Sequence, residues 1–347
     1  MCADFRRGWA GRIRWVLGLG LLLTTARMAA DEPFAGSPLG PAVAASRHGS
    51  PDGDITRGNH VANLSGGYDA LLLRVHLIRQ AQRSIDIQTF IWSDDESGRL
   101  MIYELIEAAR RGVRVRIIAD HMISDQDPRT VAFLTTVHPN FQLRHYRPAM
   151  ARIKPTRLQT MLAGLRSFHG INQRMHNKLM VFDDAVMITG GRNIENTYFD
   201  HATGLNFRDR DVLAAGPVAR AATESFEQFW AFRHTVPGEE LKDVAAVIAS
   251  GDFPRYDTRA DYDFGGFFDE LDREADDAEV IRERFAGLLR PVARVRLIAD
   301  DPGKTGGFFT RNARITLELR AMLEQAKHSV VMQTPYSSSP AGRRGNW

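Results

Sequence analysis

The stretch RMHNKLMVFDDAVMITGGRN, residues 174–193, sets His176 two positions before Lys178, Asp183 five further on, and Asn193 just past Gly190 and Gly191. In an extended chain residues i and i+2 share a face, so the imidazole and the ammonium project together while Leu179 and Val181 are free to pack. That pair suits phosphoryl chemistry. The imidazole can attack phosphorus to give a phosphohistidine, and the ammonium can hold the non-bridging oxygens as charge gathers on them. The two glycines let backbone and amide donors approach an anion, which makes Asn193 a second oxygen clamp. The bare triplet also fits a half-exposed hairpin that carries polar residues by chance; the glycines and Asn193 at a fixed distance favour a site.

The elements that must position these groups read as alternating helices and strands. YDALLLRVHLIRQAQ has helical apolar spacing, SIDIQTFIW alternates like a strand, GRLMIYELIEAARRG is helical and ends on Gly, and VRVRIIAD is again a strand. A short helix follows Pro128, then the strand FQLRHYR. KLMVF and AVMIT are two arms around an Asp183–Asp184 turn, DRDVLAAG is a strand and PVARAATESFEQFWAF a helix. The alternation predicts an α/β fold built on parallel pairing. Residues 237–290, more acidic and less regular, read as a connector. AQRSIDIQT at 81–89 and AKHSVVMQT at 326–334 share Ala, Ser, Gln and Thr at matching offsets, each after an amphipathic helix, which predicts the start of a second repeat over 291–347.

The first thirty residues stand apart. Arg6, Arg7, Arg12 and Arg14 precede an apolar run from Trp15 to Leu23, and small residues end at Ala30, a signal-peptide pattern that predicts a periplasmic, secreted or membrane-associated protein. These residues hold five Arg against one Asp, so without them the formal charge of +3 becomes about −1. A non-specific nucleic-acid binder needs a cationic surplus, which disfavours that partner. The only cysteine, Cys2, offers no disulfide. Residues 31–60, rich in Gly, Pro, Ser and Ala, read as a flexible linker, with the first repeat over 61–236.

RMHNKLMVFDD…GGRNIENTYF resembles the phospholipase D superfamily, whose hallmark is H-x-K-x4-D, and more narrowly bacterial cardiolipin synthases of the C type. IDIQTFIWSDDESGRL, AARRGVRVRIIAD, FRDRDVLAAGP and ADDPGK resemble that group too, over roughly residues 63 to 336. The resemblance implies a phospholipase D-like mixed, mainly parallel sheet flanked by helices. It also implies a phosphodiesterase or phosphatidyltransferase acting on glycerophospholipids at a membrane surface. His176 would be nucleophile or general acid, Lys178 and Asn193 would bind phosphate, Asp183 would be a mainly structural carboxylate, and Asp209 would orient the histidine. No metal or cofactor is implied.

Such a site combines two motifs, because one imidazole must be neutral to attack while another is protonated to expel the alcohol. This sequence holds one, and its SSSPAGRRGNW end departs from the group's continuation. The chain therefore reads as cut short after the first repeat, with activity either impaired or completed by a C2 homodimer. An exported nuclease of the same superfamily and a non-catalytic membrane-binding remnant are the rival readings. Phe141 to Phe182 has eight Lys or Arg and no acid, which reads either as a lipid-facing patch or as a solvated loop. DDPGK lacks the spacing of a nucleotide-phosphate loop, and DDESG reads as a helix cap.

Overall fold

The computed structural model describes residues 32–48, 52–120, 127–156, 174–264, 266, 268–303 and 314–331. Residues 1–31 and, within the basic stretch, 157–173 with Arg157 and Arg166 lie outside them. In chain order the elements are α1 (Gly40–His48), β1 (Asn59–Leu64), α2 (Gly67–Gln80), β2 (Ser84–Thr89), α3 (Glu96–Arg110), β3 (Arg114–Asp120), α4 (Pro128–Thr136), β4 (Phe141–Tyr146), β5 (Leu179–Phe182), β6 (Val186–Gly190) and β7 (Asp211–Ala215). They continue with α5 (Val218–Trp230), β8 (Thr235–Pro237), α6 (Lys242–Ser250), α7 (Phe268–Asp276), α8 (Ala278–Arg284), β9 (Arg290–Val292) and α9 (Arg314–Gln325).

The strands form one mixed sheet in the order β8-β4-β3-β2-β5-β6-β7-β1-β9. Only β2–β3 and β3–β4 are parallel; the other six neighbour pairs are antiparallel. The expectation of a mainly parallel sheet is thereby corrected. Helices α3 and α4 carry the chain back across the sheet and so enforce parallel neighbours. The β5–β6 turn is too short to do anything but reverse the chain.

One face of the sheet is covered by α2, α3 and α4. Helix α2 is buried from Ala70 through Ile78, and β2 is buried along its whole length, as a central strand covered on both faces should be. Asp95 starts α3 by accepting the Gly98 N–H at 2.9 Å. On the other face, Val218, Ala219 and Ala222 of α5 pack on Leu179, Val181 and Met187.

Three stretches differ from expectation. Within 31–60, residues 32–48 are packed: Phe34, Leu39 and Val43 are core residues. Ser37 Oγ lies 2.7 Å from His76 Nε2, and Ser46 Oγ donates to the Ala215 carbonyl at 3.1 Å. Gly, Pro and Ser content marks irregular backbone, and irregular backbone can still be strapped down by a few apolar anchors. The connector likewise packs, with Phe268, Leu271, Ile281 and Phe285 buried. At the other end, 326–331 form no strand, and Val330 and Val331 are 53% and 95% exposed. A period-two pattern makes a strand only where a neighbour offers hydrogen bonds, and among the described residues no strand pairs with it.

Candidate functional site

The C-terminal end of β2 gathers the site. Phe90, just beyond it, meets the His176 ring edge-on at a centroid distance of 4.6 Å, and the Lys178 Nζ lies 5.1 Å from the same ring centre. The next residue, Ile91, donates its N–H to Asn193 Oδ1 at 3.2 Å. Carboxyl ends of strands in open α/β sheets leave backbone groups and loops free to meet a ligand.

His176 is exposed, while Lys178 is buried. The chain leading into them is fixed from β3: the Asp120 carboxylate accepts the Met175 N–H at 2.9 Å and an Arg174 guanidinium N–H at 3.0 Å. Lys178 Nζ donates to the His176 carbonyl at 3.2 Å, so the ammonium is folded back beside the imidazole. Burial pulls the Lys178 ammonium down to about 8, against the nearby carboxylates of Asp209 and Asp211, which favour its charge.

Asn193 is buried, and its amide Nδ2 donates to the Tyr198 hydroxyl at 2.9 Å. Gly190 and Gly191 are required by close approach: a methyl group on Gly190 would collide with the Asp211 carboxylate, and one on Gly191 with that of Asp209. Asp209 accepts the Arg210 N–H at 2.8 Å, and its carbonyl accepts from Arg192 at 2.6 Å. Beneath it Asp211 is 1% exposed between Arg74 at 2.8 Å and Arg192 at 3.3 Å.

His176, Lys178, Asn193 and Asp209 are therefore on one side of the sheet end, and Asp183 is not with them. It closes the far end of β5, where its carboxylate accepts the N–H groups of Gln82, Arg83 and Ser84 at 2.9, 2.7 and 2.9 Å. Spacing alone does not single out Phe90, Tyr198, Arg192 and Asp211. Each reads locally as a strand-end apolar residue, a loop aromatic or an ordinary surface charge. Alternate positions in FRDRDV hint that two carboxylates face one way. A cavity of about 490 Å³ lies by Trp92, Ile117 and Val131, and none of His176, Lys178 or Asn193 lines it.

This arrangement can present an imidazole to an incoming phosphorus with a cation and fixed amide dipoles beside it. Residues 75–230 match a family described as cardiolipin synthase, PLD-like domain. The chain is 31% identical to cardiolipin synthase C of Escherichia coli over 257 residues, 74% of this chain and 52% of that protein. It is 43% identical to an uncharacterized Helicobacter pylori protein over 186 residues, 53% of this chain and 36% of the relative. The chain thus spans about half the length, or less, of these curated relatives. A solved structure, NucT from Helicobacter pylori, aligns with 52% of this chain and 99% of its own at 16% identity and a TM-score of 0.39. The chain carries a phospholipase D-like domain related to bacterial cardiolipin synthases.

Proposed function

We propose, from the premise of a phospholipase D-like domain over residues 75–230, that the protein is a phosphodiesterase or phosphatidyltransferase working through a phosphohistidine at His176. The observation that carries this is the exposed imidazole and the buried ammonium of Lys178 sharing one Phe90 ring. An imidazole nitrogen forms the bond to phosphorus while the phosphorus–oxygen bond to the leaving alcohol breaks. Lys178 and Asn193 hold the non-bridging oxygens, and a second imidazole supplies the proton to the leaving oxygen. Water or another alcohol then takes the phosphoryl group from His176. These 347 residues hold one H-x-K-x4-D, and a C2-related copy of it is one source of the second imidazole.

Two diester classes fit this chemistry. Glycerophospholipid is favoured by the cardiolipin synthase relatives and by the absence of a cationic surplus once residues 1–30 are set aside. Nucleic acid is the second reading, favoured by the open placement of His176 outside the cavity by Trp92, since an exposed imidazole meets any accessible diester. Purified protein incubated separately with phosphatidylglycerol vesicles and with plasmid DNA, each against His176→Ala, distinguishes them. Lipid turnover lost in the variant is the expected outcome. DNA cleavage lost in the variant assigns the nuclease reading, and turnover of neither substrate overturns the enzymatic proposal.

A further inference from the structure

Beside the site, residues 202–208 are closed into a firm loop. Asn206 Oδ1 accepts the Ala202 N–H at 3.1 Å, and its Nδ2 donates to the Ala202 carbonyl at 3.0 Å. The Phe207 N–H donates to the Thr197 carbonyl at 2.7 Å. Pinned at its base, the loop turns its tip outward: Leu205 is 73% exposed and Phe207 44%. Single exposed apolar residues are ordinary, but two on one fixed loop beside a reactive group are informative.

The loop is wired to the phosphate clamp. The Phe207 ring meets the Tyr198 ring at 4.9 Å, and the Tyr198 hydroxyl accepts from Asn193. Charge is also sorted. Arg208 and Arg210 are exposed, while the acid between them, Asp209, turns its carboxylate onto Gly191 and the Arg210 N–H. The exposed side chains of residues 205–210 are thus two apolar and two cationic.

We infer that residues 202–210 dock the protein onto an anionic bilayer. Leu205 and Phe207 enter the boundary between headgroups and acyl chains, and Arg208 and Arg210 meet lipid phosphates. His176 is thereby brought to the level of the diester. Leu205, the more exposed of the two apolar residues, is aliphatic and has no ring on which a base could stack, which argues against a nucleic-acid strand. A two-residue tip also falls far short of the roughly 800 Å² per partner of a stable protein interface. The inference rests on the lipid reading above for its purpose, while its geometry is independent of it.

The test is sedimentation of the full chain with vesicles of phosphatidylcholine alone and of phosphatidylcholine mixed with phosphatidylglycerol, for wild type, Leu205→Asp, Leu205→Trp and Arg208→Gln. Wild type should partition onto the anionic vesicles. Leu205→Asp should lose about tenfold or more in partition and Arg208→Gln about fivefold. Leu205→Asp should turn over a soluble diester, bis(p-nitrophenyl) phosphate, as wild type does, and Leu205→Trp should gain fluorescence quenched by lipids brominated in their chains. Equal partition of wild type and Leu205→Asp, or an added indole that brominated lipid does not quench, overturns the inference. So does loss of self-association or of DNA binding in Leu205→Asp with vesicle binding intact. Tip-dependent vesicle binding without phosphatidylglycerol cleavage leaves the docking surface standing and removes the lipid substrate. Cleavage of dispersed short-chain lipid without vesicle binding does the reverse.

Discussion

The two ends of β5 sit in opposite environments although the eight residues of one motif span them. At the entry, His176 faces solvent and Lys178 is folded beside it on Phe90. At the exit, Asp183 is 1% exposed and three backbone N–H groups converge on its carboxylate. Asp183 and Asp184 both take left-handed backbone, at φ of 52° and 55°, which Asp tolerates better than most residues. A short sequence pattern can thus divide its residues between an open end suited to chemistry and a sealed end that ties β5 to the start of β2.

The sharpest way to break this contrast is to compare truncations at the two ends. His176→Ala should lower kcat/KM by about a thousandfold or more and leave the urea unfolding midpoint where it was, because an exposed side chain carries little packing. Asp183→Ala should do the opposite, costing about 3 kcal/mol in urea denaturation by stranding three donors and placing Ala in a left-handed turn. Asp183→Asn, which keeps an acceptor and the turn preference, should recover most of that loss. An unchanged midpoint for Asp183→Ala would sink the division between the two ends.

A smaller effect tests the entry end alone. Because burial holds the Lys178 ammonium near 8, its charge is complete below that pH and is lost above it. On the alkaline side kcat/KM should therefore fall about tenfold per pH unit above about 8. A bound phosphate diester favours the charged ammonium, so the matching limb in kcat should lie at higher pH. Lys178→Arg, whose guanidinium stays charged, should remove the limb from the pH profile of kcat/KM whatever its effect on the plateau. The smallest effect belongs outside both ends: Leu319→Ala on α9, where Leu319 is 50% exposed, should move thermal or urea stability by less than about 0.5 kcal/mol.

That last site shows how far periodicity alone reaches. Residues 67–89 and 314–331 carry similar helix-to-strand patterns, yet α2 is buried over most of its length and α9 has no buried residue. Ile315, Leu319 and Met322 lie on its exposed side, at 39%, 50% and 56%. Apolar spacing states which face a helix would bury, and a packed neighbour must exist for it to be buried. The same limit explains the sheet. Alternation in SIDIQT and KLMVF identifies strands, but Ile85 pairs with Phe182 in an antiparallel sense and with Val115 in a parallel one, and strand direction leaves no trace in alternation. In the site, His176, Lys178 and Asn193 are legible because their spacing lies within one stretch. Phe90, Tyr198 and Asp211 come from three other stretches and resemble ordinary core or surface residues there.

What the sequence determined by itself is local: the H-x-K pair on one face, the glycines that admit carboxylates against the backbone, the Asp that can start α3 or hold a left-handed turn. These follow from side-chain geometry and backbone sterics within a few residues. Tertiary structure alone decided that β2 ends beneath both His176 and Asn193, that Asp183 is drawn away to cap the start of β2, and that Asp211 rather than solvent faces two guanidiniums. Those outcomes depend on which strands become neighbours, and that choice is made by burial summed over the whole sheet, a quantity that no short stretch contains.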